Sequence, residues 1–151
     1  MQISDIINGI TIKLDNEFPN ATIYVEKVPQ GFIEPCFVVK LLDFAHTRRI
    51  DRRWLIQPNF NIMYFPSVNG GTIECNDISL QIQQALETIE LIDETPMLAR
   101  NTRTQIVEGE DGDVIGHNFM RFDFFLQKLP DIPFMEQLEQ YINRNRVNRI
   151  G

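Results

Sequence analysis

The sequence contains few residues that could carry covalent or redox chemistry: two cysteines, two histidines and one tryptophan. Cys36 and Cys75 are too few for a disulfide framework, and their spacing matches no metal-binding pattern. We therefore expect both thiols to be reduced and buried, as is typical of a cytosolic protein.

Long apolar runs are also missing, and we expect no signal peptide at the start of the sequence. No run approaches the roughly 20 apolar residues that cross a bilayer as a helix. The first ten residues lack the basic start and the small-residue cleavage site of a signal peptide. The formal net charge of -7 opposes general binding to nucleic acid. We therefore predict neither a membrane partner nor a sequence-specific nucleic-acid partner.

Catalytic and metal-binding motifs are absent as well. A nucleophilic pair would need a cysteine beside His46 or His117 and a third group to orient the base, and the local spacing supports no such arrangement. The acidic segment 108–113 lacks the ligand spacing of an EF-hand loop, and the glycine pair at 70–71 lacks the lysine of a phosphate-binding loop. We predict no catalytic, cofactor-binding or metal-binding residues, and therefore no cofactor.

What the sequence does contain is one long alternating segment, Arg53–Phe65. Most of its odd-numbered residues are polar, whereas its even-numbered residues are apolar: Trp54, Ile56, Pro58, Phe60, Ile62 and Tyr64. A strand sends successive side chains to opposite faces, so this segment is predicted to be a strand with one buried face. The remaining segments are expected to pack against that face.

The periodicity of the other segments predicts three helices and four more strands. Apolar residues three or four apart predict helices, over residues 2–17, 73–92 and 134–150. Alternating or doubly apolar segments predict strands, over residues 22–27, 32–44, 97–108 and 114–126. A polar segment between two of the strands predicts a long hairpin loop, over residues 45–52.

These elements together predict an α+β fold. We expect a mostly antiparallel β-sheet of about four to five strands with two helices packed on one face, plus a C-terminal helix. The length suits one domain over residues 1–130, followed by a C-terminal helix or extension over residues 131–151.

Charge is distributed unevenly along the chain. A basic cluster falls within six positions: Arg48, Arg49, Arg52 and Arg53. Residues 73–95 contain no lysine or arginine, and their later part carries Glu87, Glu90, Asp93 and Glu94. Either both clusters are solvated faces, or they meet between copies of the chain when these assemble.

Several longer motifs occur in a fixed order. The pattern IxxIIxxIxxKL in the first helix leads to FPxxxIYxExVxQGFxEPCFxVKLL at residues 18–42. RRIDRR then precedes NFNIMYFP at residues 59–66, and a DGD turn leads into a phenylalanine-rich strand that ends near residue 126. Over residues 1–127 the chain resembles the tail terminator (tail-completion) family of phages and prophages of Gram-positive bacteria. The segments QGFxEPCF and YFP are the most specific.

This resemblance implies a structural virion protein and not an enzyme. Members of the family form a ring, commonly a hexamer, that caps the tail tube, stops its polymerisation and offers the surface that joins the head. The implied partners are further copies of this chain, the tail-tube protein and a neck or head-completion protein. The implied location is the virion tail, with assembly in the cytoplasm of the bacterial host. The isolated chain is either a ring already or a monomer that assembles only on a tube end.

In such a ring, the arginine cluster at 48–53 is predicted to contact the acidic helix of the next subunit, or the last ring of the tube. Two other functions stay open. A neck or head–tail connector of the same virion can share this fold and also form rings. A small cytosolic enzyme or ligand-binding module would need a deep polar pocket near His46 or His117.

Overall fold

The structure, a computed structural model, describes residues 1–68, 70–127 and 142. Over these residues it contains two α-helices, one short 3-10 turn and seven strands. In chain order these are α1 (Ile3–Glu17), β1 (Thr22–Val25), β2 (Cys36–Arg48), the 3-10 turn (Ile50–Arg52), β3 (Arg53–Phe65), α2 (Thr72–Ala85), β4 (Thr88–Glu90), β5 (Pro96–Glu108), β6 (Val114–Phe122) and β7 (Phe124–Gln127).

The strands form one mixed sheet in the order β1-β2-β3-β6-β5-β4, with β7 also paired to β3. β1 runs parallel to β2, and the other pairs are antiparallel. The α+β class agrees with the expectation, but the predicted sheet of four to five strands was wrong. Two short strands account for the difference. β7 is separated from β6 at Asp123, and β4 lies inside the segment that was predicted to be a helix. Apart from residue 142, the helix predicted over 134–150 lies outside the described residues.

Helix α2 ends at Ala85, well before the predicted end at residue 92. Ile89 continues the apolar spacing of the helix, but it is fully buried in β4, where it pairs with Met97 of β5. The amide of Ala99 donates to the carbonyl of Glu87 at 2.8 Å, which ties this segment further to β5. Pairing with the strand that follows therefore overrides the local helical pattern.

Strand β3 lies at the centre of the sheet. β2 pairs along one of its edges, and β6 and β7 pair along the other. Its even-numbered residues from Ile56 to Tyr64 are buried, which confirms the predicted buried face. This inner face packs against both helices, because one core cluster joins Phe60 and Ile62 with Ile10 of α1 and Ile82 of α2. The opposite side of the sheet is called the outer face below.

A buried polar contact joins α2 to the inner face. The amide nitrogen of Asn118 donates to Ser79 Oγ at 3.3 Å and to the carbonyl of Ile62 at 3.1 Å. Thr104 Oγ1 donates to the amide oxygen of the same asparagine at 2.9 Å. Asn118 and Ser79 are fully buried, so these hydrogen bonds offset the cost of removing the polar groups from water.

Candidate assembly surface

Strands β2 and β3 continue beyond the core as a regular antiparallel ribbon. Their pairing runs without interruption from Asp43↔Asn59 to Arg48↔Trp54, and β7 adds a third strand beside Arg53–Ile56 of β3. Residues 43–59 together with β7 are called the arm below. The long loop predicted over 45–52 was wrong for residues 45–48, because β3 supplies a backbone partner for each of them.

The end of the arm is a compact turn. The amide of Arg49 donates to the carbonyl of Arg53 at 2.7 Å, which closes the hairpin. Between them, Asp51 and Arg52 both adopt positive φ, 62° and 61°. Such a pair of left-handed residues matches the right-handed twist of the flanking strands. The predicted arginine cluster therefore lies around one tight tip, where Arg48, Arg49 and Arg53 are exposed and Arg52 is half-buried.

Aromatic and apolar side chains are exposed along the arm. Phe44 is 50% exposed, and its ring lies 6.5 Å from that of His46, which in turn lies 4.8 Å from the Trp54 ring. On the outer face, the Arg53 guanidinium lies 4.2 Å from the centre of the Phe125 ring, and Phe125 is 51% exposed. The arm thus combines positive charge at its tip with apolar surface along both sides.

These aromatic residues were missed as site residues from the sequence. Phe44 lies at the end of the apolar part of β2, and Phe125 falls on the outward parity of the return strand. A signal was present in both cases, because each of these large apolar rings is next to exposed residues in its strand. These two rings lie on one arm only because β2 and β7 both pair with β3, and that pairing could not be derived from the sequence.

The predicted acidic residues lie in or next to β4, a strand at the edge of the sheet, and not on a helix. Glu87 follows α2, Glu90 belongs to β4, and Asp93 and Glu94 form the turn between β4 and β5. All four are exposed. Hydrogen bonds from Thr95, through its side chain and its amide (3.1 Å), hold the pKa of the Asp93 carboxyl below its usual value.

Within one chain the structure does not bring the two charged clusters together. β2 lies next to the first strand of the sheet order, β4 is the last, and β3, β6 and β5 lie between them. Two ion pairs that do form among the described residues, Arg121–Asp123 at 2.8 Å and Arg100–Asp123 at 3.9 Å, involve neither cluster.

The cysteines do not form a nucleophilic site. Both are free and buried, as predicted. Burial, reinforced by the charge of Glu34, raises the pKa of Cys36 to about 11. Burial likewise raises the pKa of Cys75, with Glu74 adding to the effect. A thiol with a raised pKa is a poor nucleophile at neutral pH, because little thiolate is present.

The histidines lie in different surroundings. His46 is exposed on the arm, whereas His117 Nδ1 lies 2.9 Å from Asn61 Nδ2 on the outer face, and burial lowers its pKa. Of four clefts lined by described residues, none includes either histidine. Across residues 1–68 and 70–127, no group of three or more His, Cys, Asp or Glu side chains is placed to hold a metal ion. Neither described helix is long and apolar enough to cross a membrane.

Comparisons with known proteins agree with the resemblance noted in the sequence. The model of a family described as phage tail terminator protein matches residues 5–133. No curated protein matches the chain. Among solved structures, 23 chains match. One of them, which carries only a serial designation, is 13% identical with a TM-score of 0.52, and the match covers 87% of this chain and 99% of the other. At that identity the likeness concerns the fold alone.

The family match covers most of the chain, including every described helix and strand except the first residues of α1. That the phage infects Gram-positive bacteria stays a prediction, as does the domain boundary near residue 130. The family is a structural one and not a family of enzymes. The chain belongs to the phage tail terminator protein family and is a structural component of a phage tail.

Proposed function

We propose that this protein caps the phage tail tube, ends its polymerisation and provides the surface to which the head joins. The observation that carries the proposal, beyond membership of the family, is the arm. It presents exposed arginines and aromatic rings on a rigid ribbon beyond the core, where another protein can reach them. Its partners are further copies of this chain, the tail-tube protein and a neck or head-completion protein, met in the host cytoplasm during assembly.

The copies join through contacts between unlike surfaces. The arginine tip of one copy meets the acidic edge of the next, formed by Glu87, Glu90, Asp93 and Glu94. The separation of the two clusters across the sheet supports this arrangement, because one chain cannot pair them with each other. A contact between two different patches repeats from copy to copy and can close into a ring, which in this family commonly has six members.

Charge alone does not hold such an interface together. Exposed ion pairs each contribute about 0–1 kcal/mol and are screened by salt. The larger contribution comes from covering the rings of Phe44 and Phe125 and neighbouring apolar atoms, at about 25 cal/mol per Å² removed from water. The arginines give the contact its orientation, and the apolar surface of the arm gives it most of its strength.

The proposal is tested by light scattering after size-exclusion chromatography, with and without purified tail-tube protein. The wild-type chain should form a ring-sized species alone or on tube ends, and should shorten the tubes when it is present during polymerisation. Reversing the exposed pair, Arg48→Glu with Arg49→Glu, should remove both effects. The control, Lys27→Glu with Asn20→Asp and Gln30→Glu, changes exposed residues outside the two clusters, lowers the net charge equally and should keep them.

A wild-type chain that stays monomeric with tubes present and leaves tube length unchanged would remove the capping function. Its co-purification with portal-bearing heads, and not with tubes, would then assign it to the neck.

A further inference from the structure

The outer face of the sheet carries a second basic surface, away from the arm tip. Residues that pair directly across neighbouring strands share a face. Lys40, Asn61, Phe119 and Arg103 are paired in this way across β2, β3, β6 and β5, so they form one row. Asn61 belongs to the odd parity of β3, which is opposite to the parity that packs against the helices. The row therefore lies on the outer face.

Positive charge exceeds negative charge on this face, although the chain as a whole carries -7. The register places five basic residues and three carboxylates there: Lys40, Arg53, Arg100, Arg103 and Arg121 against Asp43, Asp123 and, on the edge strand β4, Glu90. Asp43 and Asp123 already have partners. Asn59 donates to Asp43 at 2.7 Å, and Arg121 donates to Asp123 at 2.8 Å. Lys40 and Arg103 are both exposed.

A buried polar group on the same row lacks part of its hydrogen bonding. Asn61 is only 6% exposed, and its Nδ2 lies 2.9 Å from His117 Nδ1. The amide oxygen at the other end has no partner among the described residues. Whichever way the amide is turned, one of its ends is unpaired. The unpaired atom is itself inaccessible to solvent, so a group from another molecule can pair with it only when the Asn61 side chain turns outward. Because an unpaired buried amide is costly, such a pairing would stabilise this face.

The helix layer on the inner face of the sheet carries mostly negative charge, opposite to the charge of the outer face. Helices α1 and α2 together carry one basic residue, Lys13, and five acidic ones: Asp5, Asp15, Glu17, Glu74 and Asp77. Gln81 and Gln84, near Glu17 on a cleft between the helices, offer amide groups at the surface. This layer therefore presents both negative charge and amide donors and acceptors.

We propose that the outer sheet face of one copy packs against the α1–α2 layer of the next copy. This inference rests on the proposed ring and names the surfaces that build it. Carboxylates of the helix layer meet Lys40 and Arg103, and a glutamine amide reaches the unpaired end of Asn61. A second copy is favoured over nucleic acid because the complementary acidic surface exists on this chain, whose overall charge repels a polyanion.

Charge exchange between the two faces tests the proposal. The outer variant carries Lys40→Glu and Arg103→Glu, the helix variant carries Glu17→Lys and Asp77→Lys, and a combined variant carries all four changes. Assembly on tube ends is measured by light scattering, and folding by circular dichroism. We expect each separate variant to lose ring-sized species at least tenfold, and the combined variant to recover to within twofold of wild type.

A further variant separates complementarity from net charge. The outer changes combined with Glu110→Lys and Asp111→Lys, in the β5–β6 turn, restore the net charge without altering the helix layer, and this variant should stay defective. Recovery in it, or wild-type assembly by the outer variant, would overturn the proposed packing while leaving the capping function in place. Unchanged assembly with lost retention of a mixed-sequence DNA duplex would assign the outer face to nucleic acid instead. Failure of the wild-type chain to assemble would count against capping itself.

Discussion

At Gly116 the backbone of β6 passes so close to Ser79 of α2 that a β-carbon at position 116 would lie 2.7 Å from the Ser79 hydroxyl oxygen. The same β-carbon would lie 3.4 Å from Ile106 Cδ1 and 3.8 Å from Cys75 Sγ. Ser79 is fully buried and accepts a hydrogen bond from Asn118, so it has little room to move. The absence of a side chain at Gly116 thus sets how closely α2 packs on the sheet.

We predict that Gly116→Ala lowers the free energy of unfolding by about 1–3 kcal/mol, as extra atoms in a packed core do. Urea denaturation followed by circular dichroism would measure it. Gly109→Ala is the matched control, because a β-carbon there meets its nearest neighbour at an ordinary 3.5 Å. Adding Ser79→Ala to Gly116→Ala should recover part of the loss. Equal stability of the Gly116 and Gly109 variants would show that α2 adjusts freely.

The half-buried His117 predicts a dependence of stability on pH. Its pKa is lowered by burial, so below its ordinary value of 6.5 the unfolded chain takes up a proton before the folded chain does. The contribution of His117 to stability is therefore complete above pH 6.5 and is lost as the pH falls toward its folded pKa. Urea midpoints measured from about pH 7.5 down to about pH 5 should show this loss.

His117→Gln should flatten that part of the pH profile, because no proton is then taken up at this position. The matched substitution His46→Gln, on the exposed arm, should keep the wild-type slope. A slope that is the same in the His117→Gln variant would place the pH dependence in other groups.

The contact between Arg53 and Phe125 predicts a measurable coupling between β3 and β7. A guanidinium 4.2 Å from a ring centre at an exposed site contributes about 0.5–1 kcal/mol. A double-mutant cycle of Arg53→Ala and Phe125→Ala, followed by urea denaturation of the unassembled chain, should give a coupling free energy of that size. Additive effects of the two changes would mean that the contact contributes nothing in solution. The pair Arg103 and Phe119, at 4.7 Å on the outer face, provides a second cycle for comparison.

The central strand was predictable because its signal is local. Alternation along Arg53–Phe65 identifies the buried face whatever its neighbours are, and the structure confirms it. β4 was not predictable in this way. Ile89 lies at helical spacing from Ile82 and Leu86, and only its pairing with Met97 makes a strand the better arrangement. The periodicity within one segment carries no information about a strand that pairs with it later in the chain.

The candidate assembly surface, too, was only partly predictable from the sequence. The sequence identified the two charged clusters, because clustering of charge is a local property. The positions of these clusters in the fold could not be derived from the sequence. The segment around His46 is polar on both faces and has strand structure only because β3 pairs with it. Likewise, the row from Lys40 to Arg103 exists only in the folded sheet, where four separate strands each contribute one residue.

The ribbon structure of the arm has a mechanical consequence. Its tip is joined to the core by β3, which bonds to β2 along one edge and to β6 and β7 along the other. Antiparallel hydrogen bonds run perpendicular to the strands, so a pull along β3 shears many of them at once and does not open them one by one. A tip on a flexible loop would extend under the same tension before transmitting it. The arm should therefore pass force from a neighbouring subunit directly into the centre of the sheet.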